Sequence, residues 1–286
     1  MPLATPLEML AEAREGGYAV GAFNAENLEM VQAIVSAAEE ALSPVMIQTT
    51  PGTLRHAGPE YFRAVAAAAA AAASVPVALH LDHGDSLASV ARCLRAGYTS
   101  IMIDGSREPL EANIALTRAA AEVCLACGVP VEGELGRVGG KEDDLPSDAC
   151  LYTDPEEAEI FVGRAGVTSL AVGVGTAHGV YKTEPRLNLA LIGELRSRLP
   201  VPLVLHGASG LSDGVLRECV SLGIAKVNVA TELRIAYTAA VRECLSADSG
   251  LFDPKAYAKK GRAAVKAAVL EKIRVLGSEG RAAAFR

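Results

Sequence analysis

Short apolar runs of strand length alternate along this chain with helix-length stretches, at intervals of about thirty residues, and that rhythm constrains the fold more than any other feature. The runs are Tyr18-Ala-Val-Gly-Ala-Phe23, Val45-Met-Ile-Gln48, Val77-Ala-Leu-His-Leu81, Ser100-Ile-Met-Ile103, Val129-Pro-Val-Glu-Gly-Glu134, Ser169-Leu-Ala-Val-Gly-Val174, Leu203-Val-Leu-His206 and Ala225-Lys-Val-Asn-Val229. Near-continuous hydrophobic strands suit a parallel sheet buried on both faces, because the helices that connect parallel strands cover it. Eight such β/α units predict an α/β fold closed into a (β/α)8 TIM barrel, with a doubly wound open sheet as the alternative. The tail after Asp253-Pro254 is expected to form one more helix, from Tyr257 to about Leu276. No linker-like stretch interrupts the pattern, so residues 1–286 are expected to form one barrel domain.

Half of the 286 residues are hydrophobic, enough for a large core, and the net charge of −7 comes without a dense Lys/Arg block. That balance argues against nucleic acid or an anionic membrane as the main partner. The Ala-rich run from Ala64 to Ala73 is too short and too weakly apolar to span a bilayer and predicts a helix. Met1-Pro-Leu-Ala-Thr-Pro6 lacks the basic and apolar segments of a secretion signal, so a cytoplasmic location is expected. The six cysteines, Cys93, Cys124, Cys127, Cys150, Cys219 and Cys244, are accordingly expected to stay reduced, with Cys124-Leu-Ala-Cys127 structural rather than redox-active.

Asp82-His83, His178 and His206 each follow a strand-like run, and catalytic groups of such a barrel sit at the C-terminal strand ends. Three imidazoles converging there would hold a divalent metal with an open coordination position, and Asp82 would be a proton-transfer group beside it. Glu134 and Asn228 end up on the same face. His80 lies two residues before Asp82 and is expected to fill the barrel interior or orient a carboxylate. His56 has no companion ligand. His206-Gly-Ala-Ser-Gly210 and Asn228-Val-Ala-Thr231 follow the last two runs, where backbone N–H groups and a helix N-terminus commonly take a phosphate. The polar stretch from Arg137 to Tyr152 is too long for a minimal connection and is expected to be a mobile active-site loop.

Taken together, these residues resemble the class II, metal-dependent ketose-bisphosphate aldolases, in the branch that contains fructose- and tagatose-bisphosphate aldolases. The resemblance covers nearly the whole chain. It is carried by His80-Leu-Asp-His-Gly84, Met102-Ile-Asp-Gly-Ser106, Glu132-Gly-Glu-Leu-Gly136 with Gly139-Gly-Lys-Glu-Asp-Asp144, Gly175-Thr-Ala-His-Gly-Val-Tyr-Lys182, His206-Gly-Ala-Ser-Gly210 and Asn228-Val-Ala-Thr-Glu232.

The resemblance implies Zn2+ held by His83, His178 and His206, with Glu134 as an alternative ligand position. The metal would be the electron sink for the carbanion left by carbon–carbon cleavage. It further implies that Asp82 exchanges a proton with the C4 oxygen and that Glu142 exchanges the C3 proton of dihydroxyacetone phosphate. The phosphate of that portion is expected against Gly179, Gly207, Ala208, Ser209, Asn228, Val229, Ala230 and Thr231, with Lys182 as a charged helper and a monovalent cation, Na+ or K+, beside it. Asn24 and Thr50 match positions near the middle of the substrate. Lys255 stands where many relatives carry an arginine for the distal phosphate; lysine keeps the charge and loses the bidentate fork. The family also implies a homodimer or homotetramer.

The expected activity is reversible cleavage of fructose 1,6-bisphosphate to dihydroxyacetone phosphate and glyceraldehyde 3-phosphate, with tagatose 1,6-bisphosphate as the alternative substrate. A metal-dependent hydrolase would need an HxH pair near the first strand, which the sequence lacks. A non-catalytic partner subunit would be expected to lose Asp82 or a histidine, and all four are present.

Overall fold

All eight apolar runs form strands in a computed structural model of the chain, which describes residues 3–140, 151–181 and 185–285 and the backbone of 141–142 and 145–147. They are β1 (Val20–Asn24), β2 (Val45–Thr49), β3 (Val77–Gly84), β4 (Ser100–Ile103) and β5 (Val131–Leu135), then β8 (Ser169–Val172), β10 (Leu203–Leu205) and β11 (Ile224–Val229). Between them lie the short strands β6 (Gly139–Glu142), β7 (Leu145–Ser147) and β9 (Ala177–His178). The eight long strands pair in parallel in the order β1-β11-β10-β8-β5-β4-β3-β2 and close on themselves, Val20 opposite Lys226 and Gly21 opposite Val45. The sheet is therefore a closed barrel, not an open doubly wound one.

The connecting helices are α2 (Leu28–Ala41), α3 (Pro51–Ala57), α4 (Pro59–Ala72), α5 (Leu87–Ala96), α6 (Leu110–Ala126), α7 (Pro155–Ala165), α8 (Leu189–Arg198), α9 (Asp213–Ser221) and α10 (Thr231–Ala247), preceded by α1 (Pro6–Gly16) and followed by α11 (Pro254–Val275). Their starts are written in the sequence: Asn27, Thr50, Ser86, Asp154, Asn188, Ser212 and Asp253 each accept a backbone N–H at a helix N-cap. Each such cap contributes about 1 kcal/mol. The helix expected from Tyr257 begins a turn earlier, at Pro254, because Asp253 caps it and proline tolerates the first turn. No helix among the described residues is long and apolar enough to cross a membrane.

Helix α1 was not anticipated, since its few apolar residues give it little periodicity. Its Met9, Leu10 and Ala13 pack with Val20, Ala22, Met46, Ala78 and Ala225 to plug the base of the barrel. Above this plug the lumen turns polar. Along β2 the inward residues run from Met46 to Gln48, and along β3 from Ala78 through His80 to Asp82, all buried. The polar ends of the strands meet at the mouth on the C-terminal side.

The Arg137–Tyr152 stretch is not featureless where it is described. β6 and β7 pair antiparallel, and β6 runs parallel to β9, with Gly140 opposite His178. Gly140 has φ +84°, and a Cβ there would collide with the His178 carbonyl, so glycine is what lets this hairpin dock.

Cys93, Cys124 and Cys219 are free thiols, and burial pushes each up to about 12, which keeps them protonated and inert. Cys127 ends α6 exposed while Cys124 is buried, so the CxxC spacing does not make a redox pair.

Candidate active site

Strict alternation along β3 would send Asp82 into the lumen and His83 to the opposite face. The chain avoids this at His83, which adopts φ +47°, one of two non-glycine residues with positive φ among those described. The register between β3 and β4 shifts between Leu81 and Gly84, a bulge that turns His83 back over the barrel mouth. Left-handed backbone at a β-strand residue is strained, and strain of this kind collects where a side chain must be aimed.

Three imidazoles then converge. The His83 ring centroid lies 5.2 Å from that of His178 and 4.7 Å from that of His206, with His178 and His206 6.1 Å apart. One nitrogen from each falls within 4.8 Å of the others. The nitrogens facing inward are identified by what the opposite edges touch. His83 Nδ1 is 2.8 Å from Asp104 Oδ2, and Asp104 Oδ1 accepts the Ser106 N–H at 2.9 Å. His206 Nε2 is 2.9 Å from Glu132 Oε1. That leaves His83 Nε2 and His206 Nδ1 turned towards each other, 2.9 Å apart. A carboxylate on the far nitrogen fixes the tautomer and ring angle of a metal-binding histidine, so this donor set fits a divalent cation.

Burial lowers the His206 pKa despite the Glu132 contact, which favours the neutral, lone-pair form. Burial raises Asp104, but its bond to His83 outweighs this and holds the carboxyl below the usual range. Glu134 Oε2 lies 3.9 Å from His83 Nδ1 and 3.7 Å from His206 Nδ1, and Glu134 forms a second cluster with His83 and Asp104.

Asp82 stands beside this cluster, 1% exposed. Its Oδ2 accepts from Asn24 Nδ2 at 3.0 Å and Gln48 Nε2 at 3.1 Å, and its Oδ1 from Asn228 Nδ2 at 2.9 Å. Three amides from three strands thus hold the carboxylate in one orientation.

Two cavities open off the cluster. One of about 290 Å³ is lined by His83, His178, Glu134 and Thr50 together with Arg55, Arg107 and Arg137. The other, about 30 Å³, is lined by Asn24, Gly179, Gly207, Ala208, Ser209, Asn228, Ala230 and Thr231, with His178 and Arg234. The second set matches the expected phosphate residues closely. Val229 alone departs from it, its side chain buried in the core beside β1. Gly207 has φ +67°, and a Cβ there would sit 2.8 Å from the Ala177 carbonyl carbon, so glycine lets the His206 loop close under β9. Tyr181 fastens the two, donating to the Gly207 carbonyl at 2.7 Å and accepting the Ala177 N–H at 2.8 Å.

Lys255 is not brought to either cavity. Its ammonium pairs with Asp253 at 2.8 Å on a side chain 87% exposed. Lys182 and the Glu142 side chain lie outside the described residues, although the Glu142 backbone is two residues beyond Gly140 in β6. His80 fills the lumen as expected, bonded to Ser100 Oγ at 2.7 Å. His56 is exposed in the last turn of α3.

The model of the family described as fructose-bisphosphate aldolase class-II matches residues 4–281. The chain belongs to that family. It is a class II aldolase, a carbon–carbon lyase. It is 46% identical over 274 residues to the D-tagatose-1,6-bisphosphate aldolase subunit GatY of Klebsiella oxytoca, covering 95% of this chain and 96% of that one. It is 44% identical to the fructose-bisphosphate aldolase of Geobacillus stearothermophilus, covering 99% and 100%. The crystal structure of the YdjI aldolase from Escherichia coli K12 superposes with a TM-score of 0.87 at 38% identity, covering 98% of this chain and 99% of that one. The barrel read from the apolar rhythm is thus the fold of solved aldolases.

Four site residues were given no role from the sequence: Gln48, Asp104, Glu132 and Arg234. Asp104 could have been found as the residue directly after the fourth strand. Glu132 could have been found from its i, i+2 spacing to Glu134, which puts both carboxylates on one face of β5. Arg234, paired with Glu26 at 2.7 Å, sits one helical turn into α10 and carries no comparable signal.

Proposed function

We propose that this aldolase cleaves fructose 1,6-bisphosphate reversibly to dihydroxyacetone phosphate and glyceraldehyde 3-phosphate, using Zn2+ held by His83, His178 and His206. The observation that supports this reading is the convergence of three imidazoles, two of them oriented by carboxylates, beside a carboxylate fixed by three amides. Zn2+ at these nitrogens would supply Lewis-acid polarisation of the ketone, the sink into which the electrons of the C3–C4 bond flow.

The chain's own groups do the rest. Asp82 takes the proton of the C4 hydroxyl as the C3–C4 bond breaks and returns it in the condensation direction. Its three amide partners prevent the side chain from rotating away. Glu142 delivers a proton to C3 from the hairpin docked on β9. Gly179, Gly207, Ala208, Ser209 and the 228–231 segment bind the phosphate of the dihydroxyacetone portion. The α10 N-terminus lies there, and Ser209 Oγ already accepts the Ala230 N–H at 3.3 Å, tying the two phosphate loops together. Arg55, Arg107 and Arg137 line the larger cavity and would supply positive charge for the distal phosphate of a bisphosphate. Na+ or K+ beside the phosphate, a homodimer or homotetramer, and residence in the cytoplasm complete the reading.

The sugar is tested by steady-state cleavage of fructose and tagatose 1,6-bisphosphates, which differ in configuration at C4, the carbon whose oxygen faces Asp82. We expect kcat/KM to favour fructose bisphosphate by about tenfold or more, which needs only about 1.4 kcal/mol of difference in the transition state. A preference for tagatose bisphosphate would reverse the assignment.

A further inference from the structure

Lys226 lies in the barrel interior with its side chain entirely out of solvent, in the middle of β11, whose other residues are apolar except for Asn228. Its Nζ is 2.7 Å from Glu132 Oε2 and 3.4 Å from His80 Nε2. The other oxygen of Glu132 faces His206 Nε2 at 2.9 Å. Ammonium, carboxylate and imidazole therefore form one chain across the lumen, from β11 through β5 to the residue after β10. It ends on the nitrogen opposite the one turned to the metal cluster.

We infer that Lys226 is a positioning residue for the metal site, acting through Glu132 to hold His206 with its proton on Nε2 and its lone pair on Nδ1; this rests on the zinc reading proposed above. Glu132 Oε1 is a pure acceptor, so the nitrogen it faces must donate. Asn228 Nδ2 carries two N–H groups, one donating to Asp82 Oδ1 at 2.9 Å; at 3.2 Å it lies farther from Nε2 than the Glu132 carboxylate does at 2.9 Å, so the carboxylate sets the tautomer. A carboxylate with two free oxygens could swing between partners. Tying Oε2 to a buried ammonium leaves Oε1 a single direction.

Stability alone does not account for the lysine. A buried ion pair replaced by apolar or neutral groups of similar volume is often no less stable, because both charges lose their hydration on burial. What an apolar replacement could not do is fix the angle of Glu132. The contrast with His83 is informative: its carboxylate, Asp104, sits at the cavity wall and is held by a backbone N–H rather than a cation. One ligand is thus oriented from the rim and the other from the dry core.

The test uses the full chain and zinc alone, by competition with a chromophoric chelator. Lys226→Met leaves Glu132 charged without its cation and is expected to weaken zinc about 10- to 100-fold. The double variant Lys226→Met/Glu132→Gln removes both charges but leaves the amide untied, and it is expected to bind zinc within about threefold of the single variant, which separates loss of positioning from an uncompensated buried charge. Nitrogen-15 spectra of the metal-free parent should place the His206 proton on Nε2, a readout that needs no variant to fold. A proton on Nδ1 would overturn the inference. So would a Lys226→Met protein that binds zinc as the parent does, or a double variant that recovers the parent's affinity. A parent that fails to bind zinc at all would instead bring down the metal reading, and this inference with it.

Discussion

Asp82→Ala is expected to lower kcat for cleavage by about 10²- to 10⁴-fold, the range for loss of a positioned acid–base group, while the protein still binds zinc as the parent does. The separation is possible because, among the described residues, the hydrogen bonds of the Asp82 carboxylate come from amides. Asn24, Gln48 and Asn228 hold it, and the carboxylates that orient the imidazoles are Asp104 and Glu132. KM should change little, since the phosphate-binding loops are untouched. The variant will also be less stable, because three buried amides lose their acceptor, at a cost of about 1–3 kcal/mol each where water cannot replace it. Activity is therefore best compared well below the unfolding transition, with zinc content measured on the same sample. Normal cleavage by Asp82→Ala would remove this residue from the mechanism.

His206→Ala is expected to fail differently. It removes a nitrogen proposed to hold the metal and takes from Glu132 Oε1 and His83 Nε2 the ring that each faces, so zinc binding and catalysis should fall together. Loss of one electrostatic stabiliser typically costs about 10²–10³ in kcat, and weakened metal binding adds to this at limiting zinc. Titration of the variant with zinc should show a much higher dissociation constant than the parent. Excess zinc should restore part of the activity, a response that Asp82→Ala should not give. The two variants thus separate the group that moves a proton from a group that holds the electron sink.

The fold was legible because its strands are buried on both faces. Runs such as Val77-Ala-Leu-His-Leu81 carry their signal in composition, and it survives without any knowledge of their neighbours. The convergence of His83, His178 and His206 followed from their places after strands, since closing a barrel brings strand ends together. What could not be read is what depends on backbone angles or on two distant residues at once. His83 faces the mouth only because φ at that residue is +47°. The β6–β7 hairpin is polar and glycine-rich, and its docking depends on Gly140 passing close to β9. Glu132 and Lys226 are charges inside apolar runs, yet nothing in the chain places residue 226 against 132. Lys255 was expected near the distal phosphate by resemblance; in the folded chain it pairs with Asp253, and three arginines occupy the cavity wall instead.

The central claim is that carbon–carbon cleavage depends on a metal held by these three histidines. It is tested most directly by stripping the protein with EDTA, removing the chelator, and following fructose 1,6-bisphosphate cleavage as Zn2+ is added back. The account predicts that activity disappears with the metal and returns in proportion to added zinc, saturating at about one equivalent per chain. Cleavage that survives complete removal of metal would contradict it.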